Sequence, residues 1–233
     1  MIDISKQKSS LVRMVSNNFG TKIFQINDTY LTEAREITPA ELKQEMNEVL
    51  RFNPHICESF YSDEVILIEG PTEEIILRGY LSEVSHNKDI FIVNCGTVNN
   101  IPFYQKIFSK FNIKYHVICD TDSSVQNGND NYGNPIFVSG IQKTIYEQIK
   151  LDSDNANYDV GILRVHFTTF EPAHKNILIP DELKLPDNYL DSNGKPFNAN
   201  KYWKEVLSQN LSHTQIDTVP IIKYLKEIVA HQS

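Results

Sequence analysis

The chain has 233 residues, enough for one sizeable core or for a main domain with a small flanking unit. No apolar run approaches the length of a membrane-spanning helix and the opening MIDISKQKSS has no signal-peptide core, so the expected compartment is the cytoplasm. Three cysteines without a CxxC spacing argue against a disulfide framework or structural zinc site, and a net charge of −8 argues against gripping nucleic acid by bulk electrostatics alone.

Residues 1–62 read as a leading unit. LVRMVSNN and TKIFQIN form two short strands around an Asn-Asn-Phe-Gly turn, a hairpin signal. A helix follows, with Thr38 as N-cap, Pro39 at its first position and Glu41 completing a capping box. Leu42, Met46, Val49 and Leu50 share one face of it. RFNPHICESFY is a joint broken by Pro54.

Residues 63–233 begin with strand-helix alternation. VILIEG, IFIVNCG and KYHVICD are strands, and TEEIILRGYLSEV and IPFYQKIFSKFN are helices. The strands are continuous apolar runs, as expected when helices cover both faces of a parallel sheet. After Asp122, the run SSVQNGNDNYGNP reads as a long, mobile loop. A helix over 140–150 comes next, then VGILRVHFTTF as a fourth strand ending at Glu171. Residues 172–198 read as irregular, and two helices over about 199–209 and 218–230 close the chain. The last carries Ile221, Ile222, Leu225, Ile228 and Val229 on one face, which suits core packing or a partner surface. The expected fold class is therefore α/β, a mainly parallel Rossmann-like sheet flanked by helices, with a small N-terminal α+β segment and C-terminal helices.

In such a sheet, functional groups collect at the carboxyl ends of the strands. Glu69, Asp120 and Glu171 are all expected there, with Glu73 one turn into the helix that follows Glu69. Gly70 and Pro71 shape that turn, and Thr72 is a suitable N-cap. Residues two apart on a strand share a face, so Asp120 and Asp122 are expected to face one ion. Clustered carboxylates of this kind suit a hard divalent cation, which takes oxygen ligands. Each half of the pattern is weak alone, since ExxxE is common on solvated helices and DxD often caps a turn. Their occurrence in order, each at the mouth of an apolar strand, carries the metal reading. His116 reads as a core histidine, while His166 and His174 flank the expected edge as neighbours of the site. Lys106, Lys110 and Lys114 read as a solvated face.

EVILIEGPTEE, IFIVNCG and VICDTD in this order resemble the Toprim domain. NEVLRFNPHICESFYSDEVILIEGPTE resembles the junction before the nuclease Toprim domain of the OLD (overcoming lysogenization defect) family, which includes anti-phage effectors. The resemblance implies a Mg²⁺- or Mn²⁺-dependent DNA endonuclease or nickase holding one or two ions. It makes Glu69 a metal ligand or general acid/base, and Glu73, Asp120 and Asp122 metal ligands. Glu171 and Lys195 are the best matches to a further acid and a lysine of the site, with Lys201 and Lys204 as rivals for the lysine. That family also contains an ABC-type ATPase. Here no GxxxxGK(S/T) occurs, so the implied partners are DNA and a separate or missing ATPase, with no membrane; self-association stays open.

Two further classes compete. A non-catalytic module would bind nucleic acid or dock onto a separate ATPase. A phosphoacceptor receiver would carry its acidic pair on the first strand, whereas DxD here follows the third. A topoisomerase needs a nucleophilic tyrosine on an accessory DNA-binding domain, and a primase needs a template-binding unit. Neither is evident.

Overall fold

A computed structural model describes residues 12–17, 20–25, 54–84, 88–154, 161–190 and 193–231. The helix expected around 38–50, and the joint before Pro54, lie outside the described residues.

Strands β1 (Val12–Asn17) and β2 (Gly20–Gln25) pair antiparallel, with Asn17 opposite Gly20. Pro54 begins a short helix, α1 (Pro54–Ser59), instead of breaking the chain, because proline fits the first helical turn. Ile56 and Phe60 then enter the same apolar core as Val65 and Leu67. Arg13 ties the hairpin to this body, donating to the carbonyls of Phe60, Phe111 and Asn112.

The central sheet holds β3 (Glu64–Ile68), β4 (Ile90–Asn94), β5 (Lys114–Asp120) and β8 (Leu163–His166) in the order β4-β3-β5-β8. All its pairings are parallel. Helices α2 (Pro71–Glu83), α3 (Ile101–Lys110) and α4 (Gly140–Ser153) follow β3, β4 and the β5 region. Alternation along the strands separates two cores. Val65, Leu67, Tyr115 and Val117 pack with α3 and α4 residues such as Phe108 and Ile145. Ile66, Ile68 and Ile118 pack with Ile76 and Leu77 of α2 and with the C-terminal helices. The α/β expectation, with helices on both faces, describes this arrangement.

The long loop expected after Asp122 is instead ordered by a small hairpin, β6 (Gln126–Asn129) and β7 (Pro135–Phe137). The Asp130 carboxylate accepts the backbone N–H groups of Tyr132 (2.9 Å) and Asn134 (2.8 Å) and closes the turn. Gly128 and Gly133 take the left-handed conformations that the turn requires. Buried Asn134 accepts the Leu163 N–H at 2.8 Å and ties this hairpin to β8.

Beyond β8, the chain forms the single-turn helix α5 (Phe170–Ala173), then α6 (Lys195–Tyr202), which passes into a π turn over Trp203–Leu207, and α7 (Pro220–Ala230). The helix expected at 199–209 therefore begins earlier, at Lys195. Gly194, at φ +80, turns the chain into it. The apolar stripe of α7 is core: Ile221, Ile222, Leu225 and Ile228 are fully buried. No helix among the described residues is long and apolar enough to cross a membrane.

At the amino ends of the strands lies a buried ionic network. Glu64 meets Lys88 at 3.0 Å, Lys114 at 3.4 Å and His116 Nε2 at 3.1 Å. Lys114 is thus inside the body and not on a solvated face. Burial alone would raise the Glu64 carboxyl, but the His116 hydrogen bond and the two lysines bring it down to about 2. His116 also accepts the Ile162 N–H, so the core reading of this histidine describes it.

Gly161 enters β8 directly over β5. A Cβ there would overlap the carbonyl oxygen and carbon of Tyr115, and backbone cannot step aside as a side chain can. Gly161→Ala is expected to destabilise the chain by about 3 kcal/mol in urea unfolding. A change below about 0.5 kcal/mol, the size usual for surface substitutions, would show that the close approach is not a constraint.

Candidate metal centre

The parallel register brings the site together. Ile68 is level with Ile118 and with Asn94, and Asp120 is level with His166. The residues that follow these positions therefore emerge at one edge of the sheet. Glu69 leaves β3 beside the end of β5, and its Oε1 accepts the backbone N–H of Asp120 at 2.8 Å. Gly70, extended at φ −154, is the N-cap of α2, with Pro71 at the first position. The N-cap expected of Thr72 is thus displaced by two residues. Thr72 is buried instead, its hydroxyl 2.9 Å from that of Tyr189. Glu73 lies in the first turn of α2 and is also buried, in the positive end of the helix field where a carboxylate is favoured.

Asp120 is the most closely held acid. Its backbone carbonyl accepts from Gln142 Nε2 at 2.8 Å, its Oδ1 is 3.2 Å from His166 Nδ1, and its carboxylate also accepts the Phe170 N–H. One ligand atom from each of Glu73, Asp120 and His166 lies within 4.8 Å of the others. Opposite ligands of a Mg²⁺ stand about 4 Å apart, so this spacing is within reach of one ion.

The expected alternation of Asp120 and Asp122 does not hold. β5 stops at Asp120, and Asp122 is exposed in the left-handed region at φ 46. Its N–H donates to the Thr168 carbonyl at 2.9 Å, while Thr168, at φ 58, donates its own N–H to Thr121 Oγ1. These bonds zip the loop after β5 to the loop after β8. The Asp122 charge still acts on Glu69 and Asp120.

Glu171 is not at a strand end, because β8 stops at His166; it lies in the first turn of α5. Lys195 opens α6, and its Nζ meets Glu171 Oε1 at 3.1 Å. The Lys195 charge is felt by Glu69, Glu73 and Asp120. Of the rival lysines, Lys201 pairs with Glu205 and Lys204 lies in the π turn.

The electrostatics match that geometry. Burial first, then the Asp120 and Asp122 charges, push the Glu69 carboxyl up to about 7. Burial, Asp120 and Glu69 push Glu73 up to about 8, and burial, Asp122 and Glu171 push Asp120 up to about 7. Lys195 opposes all three shifts without cancelling them. Burial would also raise Glu171, but its own backbone N–H and Lys195 hold it below its ordinary value. Burial holds His166 down to about 3, so its contact with Asp120 is a hydrogen bond with a neutral ring and not an ion pair.

A carboxylate-rich donor set whose members are pushed toward the protonated form suits a divalent cation: the cation would supply the positive charge that one lysine does not. Glu73 and Asp120 stand close enough to share one ion, and the charges of Glu69 and Asp122 act on the same cluster. Two features of this centre are absent from the carboxylate pattern. Gln142 gives no signal in the sequence, whereas His166, expected as a neighbour of the site, is the last residue of the strand beside Asp120 and lies 3.2 Å from its carboxylate.

Residues 60–122 match the family profile described as "Overcoming lysogenization defect protein-like, TOPRIM domain". The parallel four-stranded sheet with its flanking helices agrees with a Toprim-type, Rossmann-like fold. The C-terminal region of the Burkholderia pseudomallei OLD protein is similar over 72% of this chain and 96% of that one, at 13% identity and a TM-score of 0.41. No curated protein matches the chain.

Acids whose folded-state pKa lies above the unfolded value destabilise the fold as pH rises. The unfolded chain loses these protons in the ordinary carboxyl range, while the folded chain keeps them until about 7 to 8. Below about pH 6.5 the buried histidines His116, His166 and His174, held neutral in the fold, act in the opposite sense, so without divalent cations the melting temperature is expected to fall between about pH 6.5 and pH 8, and added Mn²⁺ should restore it by binding the folded state. Glu73→Gln should flatten that slope and weaken the Mn²⁺ response. A flat metal-free profile in the wild type would contradict the electrostatics described.

Proposed function

We propose that this chain is a Mg²⁺- or Mn²⁺-dependent DNA endonuclease or nickase that hydrolyses phosphodiesters at the Glu69–Glu73–Asp120–Asp122 cluster. The observation that carries the reading is the convergence of three acids, each pushed to about 7 or 8, at one sheet edge within the field of a single lysine. A structural role alone gives no reason to bury repelling acids together. The Toprim match over residues 60–122 supports the same reading.

Bound by these carboxylates, a divalent cation would supply Lewis acidity toward the phosphodiester and a more acidic water. The remaining chemistry belongs to the chain. Hydrolysis breaks one P–O ester bond and adds water across it, leaving a phosphomonoester and a hydroxyl. Lys195 is exposed at one face of the acids and would offset charge on the phosphate oxygens. Glu171, paired with Lys195, would hold that ammonium toward the site. Glu69 would serve either as a ligand or as the general acid/base that exchanges a proton with water or the leaving oxygen. DNA is the proposed substrate, and an ABC-type ATPase on a separate chain the proposed partner in an anti-phage system.

Supercoiled plasmid with Mg²⁺ or Mn²⁺ tests this, with EDTA as control. Wild type should nick or linearise it. Glu69→Ala and Asp120→Ala should lose at least about a hundredfold in rate while keeping a cooperative melt. Lys195→Ala should lose a similar factor yet retain Mn²⁺ binding, and Lys201→Ala should be neutral. Mn²⁺ binding without any cleavage would leave the chain as a non-catalytic module.

A further inference from the structure

We propose that His166 is a positioning residue for Asp120: its Nδ1–H donates to Asp120 Oδ1 and sets the rotation of that carboxylate, while the imidazole itself stays outside the ion's ligand set. The inference rests on Asp120 as a metal ligand. It departs from the simplest reading of the trio Glu73, Asp120 and His166, in which each offers an atom to one ion.

The tautomer decides between the two. His166 is fully buried, with Nδ1 3.2 Å from Asp120 Oδ1, and among the described residues Nε2 has no hydrogen-bond partner. If the proton is on Nδ1, it is donated to the carboxylate, and only a bare lone pair remains unpaired at Nε2. If the proton is on Nε2, a buried N–H has no acceptor and the Nδ1 lone pair faces a carboxylate. Buried N–H groups without partners are rare, and under-satisfied acceptors less so. A ligating Nδ1 would need that second arrangement.

The neighbours offer no escape. The ring of His174 is 5.1 Å from that of His166. His174 donates from Nδ1 to the Phe170 carbonyl (2.8 Å) and accepts the Ile221 N–H at Nε2 (3.3 Å). The Tyr224 hydroxyl is engaged with the Val165 carbonyl at 2.7 Å. His174 is thus used at both nitrogens, and no acceptor among the described residues lies within hydrogen-bond reach of His166 Nε2. Phe170 and Tyr224, with ring centroids 5.1 and 5.7 Å away, also hold the imidazole plane in place.

His166 thereby completes a frame around Asp120. Glu69 takes its N–H, Gln142 caps its carbonyl, and His166 and the Phe170 N–H hold its carboxylate. A carboxylate presented in one orientation loses less freedom when it binds an ion, and outer partners of this kind typically change metal affinity by about 10- to 100-fold.

Mn²⁺ binding to the full chain, without DNA, tests the assignment. An asparagine amide can place its N–H where the imidazole Nδ1–H lies, whereas glutamine reaches toward Nε2. His166→Asn should therefore keep Mn²⁺ affinity within about threefold, and His166→Gln should lose about 10- to 100-fold, both with cooperative melts. Pulsed electron paramagnetic resonance of the wild-type Mn²⁺ complex should show no directly bound nitrogen, a readout that needs no variant to fold. A nitrogen coupling that disappears in His166→Asn would overturn the proposal alone, as would unchanged affinity in His166→Gln. Failure of the wild type to bind Mn²⁺ would overturn it together with the metal reading. Inactivity toward DNA does not enter this measurement, so a failed nuclease assignment is seen separately.

Discussion

Carboxyl groups that repel one another are held at one end of one sheet because the strands beneath them run parallel and in register. β3 and β5 pair so that Ile68 meets Ile118, and β5 and β8 pair so that Asp120 meets His166. Every strand thus releases its functional residue at the same edge, whatever those residues feel toward each other. The repulsion is local, whereas the apolar strands that impose the register are buried on both faces. Burial of that area is the dominant favourable contribution to such a fold, and the acids are carried with it.

The two ends of the sheet solve the same problem in opposite ways. Glu64 is buried at the amino ends, but Lys88, Lys114 and His116 surround it, and its carboxyl is pulled down to about 2. Glu73 is buried near the carboxyl ends among other acids, and its carboxyl rises to about 8. Comparable burial therefore gives a charge that is permanently neutralised at one pole and one that calls for a counter-ion at the other. A buried charge is tolerated where it is paired, so the unmatched pole is the one available for function.

The fold was legible because its signals are strong and short in range. Continuous apolar strands such as EVILI, followed by helices, imply a parallel sheet with both faces covered. The positions of Glu69, Glu73 and Asp120 follow from that alone. Side-chain direction was less legible. Alternation suggested a shared face for Asp120 and Asp122, but the strand ends at Asp120 and a left-handed residue follows. The hairpin at Gln126–Phe137 was hidden because its strands are short and polar, held by the Asp130 turn and by Asn134 more than by apolar alternation. Glu171 and Lys195 meet although both lie in helices, and their ion pair depends on how distant segments pack, which no local pattern encodes.

The Lys88 ammonium also reaches beyond Glu64 to the carbonyls of Ile228 (3.4 Å) and His231 (2.6 Å). This anchors the last turn of α7 at the amino pole of the sheet, the full length of the strands away from Asp120. A fluorophore or surface tether joined after His231 would thus leave the molecule on the side remote from the acids. Immobilised in that way, the chain would present its carboxylate edge outward to solution.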